Sequence, residues 1–118
     1  MKEQYGKIEY KGKEYLLAFN INVMEEIQAE YGSTSKWSDL AYGTDEAEPD
    51  AKALKFGFRE MLNEGIDINN EENGTDMPPF TLKQVGRLLT EIGFKTAAQA
   101  VMDTVTTSTE PGEAEKNA

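Results

Sequence analysis

Cysteine and histidine are both absent from the 118 residues. Without cysteine there is no disulfide framework and no thiol nucleophile, and a reducing cytoplasm is the expected compartment. Without histidine the commonest general base is missing, and serine–histidine triads are excluded. Zinc sites of the usual kinds lose both of their main donors. Long apolar runs are lacking too. Nothing approaches the roughly 18 residues of a membrane span, and the opening "MKEQYGKIEY" has no apolar core of the kind a secretory signal needs. No Gly-x-Gly-x-x-Gly and no phosphate loop occurs.

Positive charge is scarce. Twelve bases stand against 22 acids, a net charge of −10. That balance argues against nucleic-acid binding, which needs a basic face, and against anionic membrane surfaces. It favours solubility, and between a basic partner and a simply solvated acidic surface the second is the stronger reading. The charge is uneven: residues 1–19 carry four lysines and three glutamates, whereas Glu60 to Leu82 holds six acids and no base. Carboxylate pairs are the catalytic groups that remain, but they fall on expected loops and exposed helix faces. No enzyme activity, cofactor or metal site is therefore expected.

What is present is patterned. Residues 5–19 read as a hairpin, with "YGKIEY" and "EYLLAF" flanking a turn at Gly12. Tyr15, Leu17 and Phe19 alternate onto one face, and Leu16 and Ala18 onto the other, so the second strand is expected to be covered on both sides. A two-stranded ribbon is not stable alone and must pack on a helix or on a neighbouring subunit. A helix follows at once, capped by Asn20 or Asn22. The first choice lets Phe19 staple onto Met24; the second pairs Asn22 with Glu25. Val23, Ile27 and Tyr31 recur at helical spacing with Met24 beside them, and Gly32 stops the helix.

A short helix is expected over residues 36–42, with Trp37, Leu40 and Ala41 as its apolar side. A third runs from near Pro49 to about Asn63 and buries Leu54, Phe58, Met61 and Leu62, with Gly57 allowing a neighbour close approach. Residues 65–79 read as a loop. Within it Asn69, Glu71, Asn73 and Gly74 partly imitate a calcium loop, but the position of the bidentate glutamate holds Phe80. A fourth helix starts at a Thr81–Gln84 capping box, with Leu82, Val85, Leu88, Leu89 and Ile92 as its stripe and Gly93 as its end. A fifth covers about residues 96–105, with Ala97, Ala100, Val101 and Val105 inward. Residues 106–118 are polar and acidic and read as a disordered tail. The expected fold is thus mainly α: one domain over residues 1–105, an N-terminal β-hairpin followed by about five short helices, and a disordered tail.

The aromatic and apolar residues of the hairpin and first helix form a candidate interaction or assembly surface: Tyr10, Tyr15, Leu17, Phe19, Met24, Ile27 and Tyr31. The free edge of the ribbon offers backbone groups that a second copy can extend.

The run from Tyr15 to Gly32, with "FNINVMEEI" leading to "EYG", resembles the N-terminal part of tail assembly chaperones of long-tailed phages and prophages of Gram-positive bacteria. The order that follows is similar as well: a short helix, "KWSDLAYG"; a second, "AKALKFGFREMLNEG"; an acidic loop; and "FTLKQVGRLLTEIG". The likeness spans roughly residues 5–105. Its motifs are hydrophobic patterns, so it transfers a role and no site residues. It implies a protein of the host bacterial cytoplasm that coats and solubilises the tape measure protein, helps recruit tail tube protein, and is absent from the mature virion. It also fits self-association into an open spiral. A different class of function compatible with the charge is an acidic mimic of nucleic acid that inhibits a host enzyme.

Overall fold

The structure, a computed structural model, describes residues 5–109. Two antiparallel strands, β1 (Gly6–Tyr10) and β2 (Lys13–Leu17), are joined by the two-residue turn Lys11–Gly12. Both turn residues have positive φ, 54° and 76°, the mirror-image geometry that matches strand twist. The register sets Tyr10 opposite Lys13, Ile8 opposite Tyr15 and Gly6 opposite Leu17.

Three residues separate β2 from α1 (Ile21–Tyr31). Asn20 is the cap: its side chain accepts from Val23 N at 3.2 Å, which resolves the choice against Asn22. Phe19 and Met24 then occupy the two staple positions, and both join the core. The remaining helices are α2 (Thr34–Tyr42), α3 (Ala51–Asn73), α4 (Leu82–Ile92) and α5 (Phe94–Thr109). The expected class, mainly helical with an N-terminal hairpin, is the observed one. The Thr81–Gln84 capping box is present in full. Helix α2 begins two residues earlier than expected because Ser33 caps it, and α3 is capped by Asp50, with Pro49 outside the helix.

The largest departure concerns residues 65–79. Helix α3 continues through Asn73, ten residues past its expected end. Its buried positions come in pairs four residues apart: Ala53 and Leu54, Gly57 and Phe58, Met61 and Leu62, Gly65 and Ile66. Core packing of that last pair outweighs the weak helix propensity of glycine and asparagine. Asn69, Glu71 and Asn73 therefore lie on a helix rather than on a calcium-type loop. Helix α5 likewise runs to Thr109, past the expected boundary at Val105. The rest of the expected tail, from residue 110, lies outside the described residues.

At about 34 Å for its 23 residues, α3 is the central rod, touching β2 and every other helix. Two glycines set how closely its neighbours come. At Gly57 the Trp37 ring lies where a Cβ would stand, and the Trp37 Nε1 donates to Ala53 O at 2.9 Å. At Gly65 the backbone of Leu16 does the same, and Ala18 N donates to Met61 O at 3.1 Å. The expected two-sided cover of the second strand is observed, with Leu17 and Ala18 both buried.

Two asparagines hold the chain that leaves α3. Asn70 donates Nδ2 to Met77 O and accepts from Met77 N, both at 3.0 Å. Asn63, two turns earlier, donates to Phe80 O at 3.0 Å and accepts from Phe80 N at 2.8 Å. The return segment is thus pinned antiparallel to the helix by side chains that imitate strand pairing. Phe80 closes edge-on against Tyr15, with ring centroids 5.5 Å apart.

Some expected apolar positions face water. Leu40 and Leu82 are exposed, while Trp37, Ala41, Val85 and Leu88 are buried. Beside Trp37, the Tyr42 hydroxyl is buried with no hydrogen-bond partner, and burial pushes its pKa up to about 12. The folded-state value lies above the unfolded value near 10. This group's contribution to stability is therefore full below pH 10 and is lost as pH rises through 12. Tyr42→Phe should flatten that alkaline decline. It should also raise stability by about 1 kcal/mol at neutral pH, because an unsatisfied buried hydroxyl is removed. Thermal melts of both proteins from pH 7 to 11.5 check this; a steeper alkaline loss in the variant would contradict it.

Candidate functional site

The seven residues of the candidate assembly surface divide into two sets. Leu17, Phe19 and Ile27 are buried in the core of this chain, with exposures of 0%, 7% and 0%. They form no part of its outer surface, because β2 and α1 turn them toward α3. Tyr10, Tyr15, Met24 and Tyr31 are half-buried and pack against that core while keeping a solvent-facing part. Lys11 lies 5.5 Å from the Tyr10 ring centroid and Lys13 lies 5.7 Å from that of Tyr15. Tyr31 meets Phe56 edge-on at 5.5 Å, and Arg59 covers the same Phe56 ring. Burial raises the Tyr31 pKa, with Asp50 and Glu30 adding to the shift.

Beside this unit α1 and α3 bound a cleft of about 260 Å³. Asn22, Val23, Glu25 and Glu26 line it from α1; Glu60, Asn63, Glu64 and Asp67 line it from α3. The helices position these groups by period. Glu60, Glu64 and Asp67 stand at i, i+4 and i+7, one face of α3. Glu25 and Glu26 follow the Asn20 cap on the outward side of α1. The Glu64 carboxylate accepts from Asn20 Nδ2 at 2.8 Å and from Asn22 Nδ2 at 3.1 Å, tying the start of α1 to the middle of α3. Arg59 donates to Glu60 at 2.6 Å. The cleft therefore presents acceptors, with Asn22 and Asn63 as the neutral polar groups among them. Among the described residues no group of three or more acidic side chains is arranged to hold a metal ion.

The acids of this cleft do not appear in the sequence reading as a group. Their signal, the spacing of Glu60, Glu64 and Asp67, becomes visible only once the third helix is carried past Asn63. Exposed apolar residues stand apart from the cleft lining: Ile21 at the head of α1 is 73% exposed, and Leu40, Leu82, Phe94 and Met102 also reach solvent. Among the described residues no helix is long and apolar enough to cross a membrane.

Compared with known proteins, the chain matches no family model, no curated protein and no solved structure.

Proposed function

We propose that this chain is a tail assembly chaperone of a long-tailed phage or prophage, a non-enzymatic protein of the host bacterial cytoplasm. It binds the tape measure protein, keeps that long helical chain soluble, and helps bring tail tube protein to it. It is then left out of the virion. The observation that carries this reading is the hairpin-to-helix unit from Tyr15 to Gly32. The stretch on which the resemblance rests folds as one continuous piece, with Phe19 and Asn20 at its joint. Helices α2, α3 and α4 follow in sequence, with the stretch that the resemblance gives as an acidic loop helical through Asn73.

The physics of the surface supports the same role. A net charge of −10 keeps a partner-bearing assembly dispersed. Scattered exposed apolar residues, Ile21, Leu40, Leu82, Phe94 and Met102, offer contacts to the apolar seams of a helical partner. The mimic of nucleic acid is favoured by the five acids that line one cleft. Against it, Lys52, Lys55 and Arg59 interrupt the charge along the same helix.

Titration of the purified chain with a soluble helical fragment of the tape measure protein tests the proposal. Saturable binding is expected, weakened by Ile21→Lys with Leu40→Lys at two of the exposed apolar residues. Absence of binding, together with competition against DNA for a nuclease, would transfer the reading to the mimic.

A further inference from the structure

The hairpin has two outer edges, and they are not equivalent. The two-residue turn makes Tyr10 and Lys13 a hydrogen-bonded pair, so Ile8 and Gly6 also bond inward to β2. The outward backbone groups of β1 are then those of Lys7 and Glu9. Those of β2 are Glu14 and Leu16, with Ala18 just beyond. Helix α3 occupies much of the β2 edge: the Leu16 carbonyl lies on Gly65, and Ala18 N donates to Met61 O. Helix α5 packs on β1 at Gly6, where the Thr104 hydroxyl lies where a Cβ would stand; Gly6 and the buried Ile8 share a side, so that contact is on the inner face of the strand and leaves its outer edge open. Among the described residues no hydrogen bond reaches its outer side, and Lys7 and Glu9 are exposed.

The geometry points to β1 as the edge on which a second copy of this chain docks, strand against strand, about a two-fold axis at Ile8. The local sequence Lys7-Ile8-Glu9 is antisymmetric in charge about Ile8. Antiparallel pairing centred on Ile8 sets Lys7 of each copy opposite Glu9 of the other. Those are the residues whose N–H and C=O groups point outward, so each pair exchanges two backbone hydrogen bonds as well as opposite charges. Ile8 meets its own counterpart at the position that needs no outward hydrogen bond. The result is a four-stranded sheet, β2–β1–β1–β2, with no unpaired central edge.

A second observation agrees. Within the ribbon Glu9 stands directly opposite Glu14, both exposed, a like-charge pair that weakens a hairpin. Lys7 of a second copy would lie on the other side of Glu9 and offset that repulsion. Head-to-tail growth of the sheet would need the β2 edge that α3 occupies. The β1 contact therefore closes at two copies and is isologous, and an open spiral of the kind the resemblance implies would need a second, different contact between dimers. This inference rests on the hairpin alone and is independent of what partner protein the chain serves.

Sedimentation equilibrium of the full chain over a concentration series tests it, together with amide hydrogen exchange. The mass should rise from 13.2 kDa to twice that value. The Lys7 and Glu9 amides should slow with concentration, while the Ile8 amide, already bonded to β2, should not change. Lys7→Glu and Glu9→Lys should each weaken the dimer about tenfold or more, since each turns two attractive pairs into repulsive ones. The double exchange, Lys7→Glu with Glu9→Lys, should restore it. Circular dichroism melts verify that the variants are folded. A monomer at every concentration would overturn the inference. So would a dimer indifferent to both single reversals, or one whose Lys7 and Glu9 amides still exchange freely.

Discussion

Gly65→Ala should lower stability by about 2–3 kcal/mol, although the substitution improves helix propensity by about 1 kcal/mol. Gly65 lies inside α3, where alanine is ordinarily preferred. Packing decides the sign. A Cβ there would overlap Leu16 O and stand 2.7 Å from Leu16 C, both backbone atoms of β2 that no rotamer change can move aside. The strand must retreat from the helix, and the hydrogen bond from Ala18 N to Met61 O, worth about 1 kcal/mol net, lengthens with it. For a domain near 100 residues this is a fall of roughly 10–20 °C in Tm. Gly86 supplies the contrast. It also lies inside a helix, but a Cβ there meets only the flexible end of the Lys55 side chain, Cδ at 3.5 Å and Nζ at 3.7 Å, both ordinary contacts. Gly86→Ala should therefore stabilise by about 0.5–1 kcal/mol. Urea titration of both variants measures the pair; equal and positive shifts would mean that β2 does not rest on Gly65.

Trp37→Ala should cost about 3–5 kcal/mol, the largest effect of any single truncation expected here. Trp37 is the only tryptophan, and its side chain is fully buried. It fills the space over Gly57, donates to Ala53 O, and meets Tyr42 edge-on at 5.7 Å. Its removal leaves a cavity between α2 and α3 that neither helix can close without moving, because Asp50 N bonds Leu40 O at 2.7 Å across the connection. Trp37→Phe keeps the ring and loses the N–H bond, so its cost should be distinctly smaller. Far-ultraviolet circular dichroism must follow both variants, since the fluorescent reporter is the residue removed. A loss under 1 kcal/mol for Trp37→Ala would contradict the described seating of α2 on α3.

The residues that made this fold legible are those whose role is local. The Thr81–Gln84 box, the stops at Gly32 and Gly93, and the turn at Gly12 each act within a few residues, so sequence spacing suffices to find them. Gly57 was readable because a lone glycine inside a clear stripe has few other uses. Gly65 was not, because it begins a run of glycine, asparagine and acids that by composition ends a helix. What keeps that run helical is distant: Leu16 against Gly65, and Met77 bonded by Asn70. The choice between Asn20 and Asn22 was open for the same reason. Glu64, 42 and 44 residues away, accepts from both, and only the folded chain shows which also caps the helix. The candidate surface was half legible. Spacing identified residues that leave the polar face of the ribbon and α1. It carried no information on which of them α3 would cover, and so Leu17, Phe19 and Ile27 entered the group with the half-exposed tyrosines. The acids of the cleft needed the true length of α3 before their shared face could be seen.

The proposed role is tested most directly by co-expressing the chain with the long helical protein that this role would place downstream in the same gene cluster, the tape measure protein, and measuring how much of that protein stays soluble. Soluble tape measure protein that co-purifies with the chain, and that becomes insoluble when the chain is omitted, is the expected result. Equal insolubility with and without the chain, and no complex on purification, would contradict the chaperone reading.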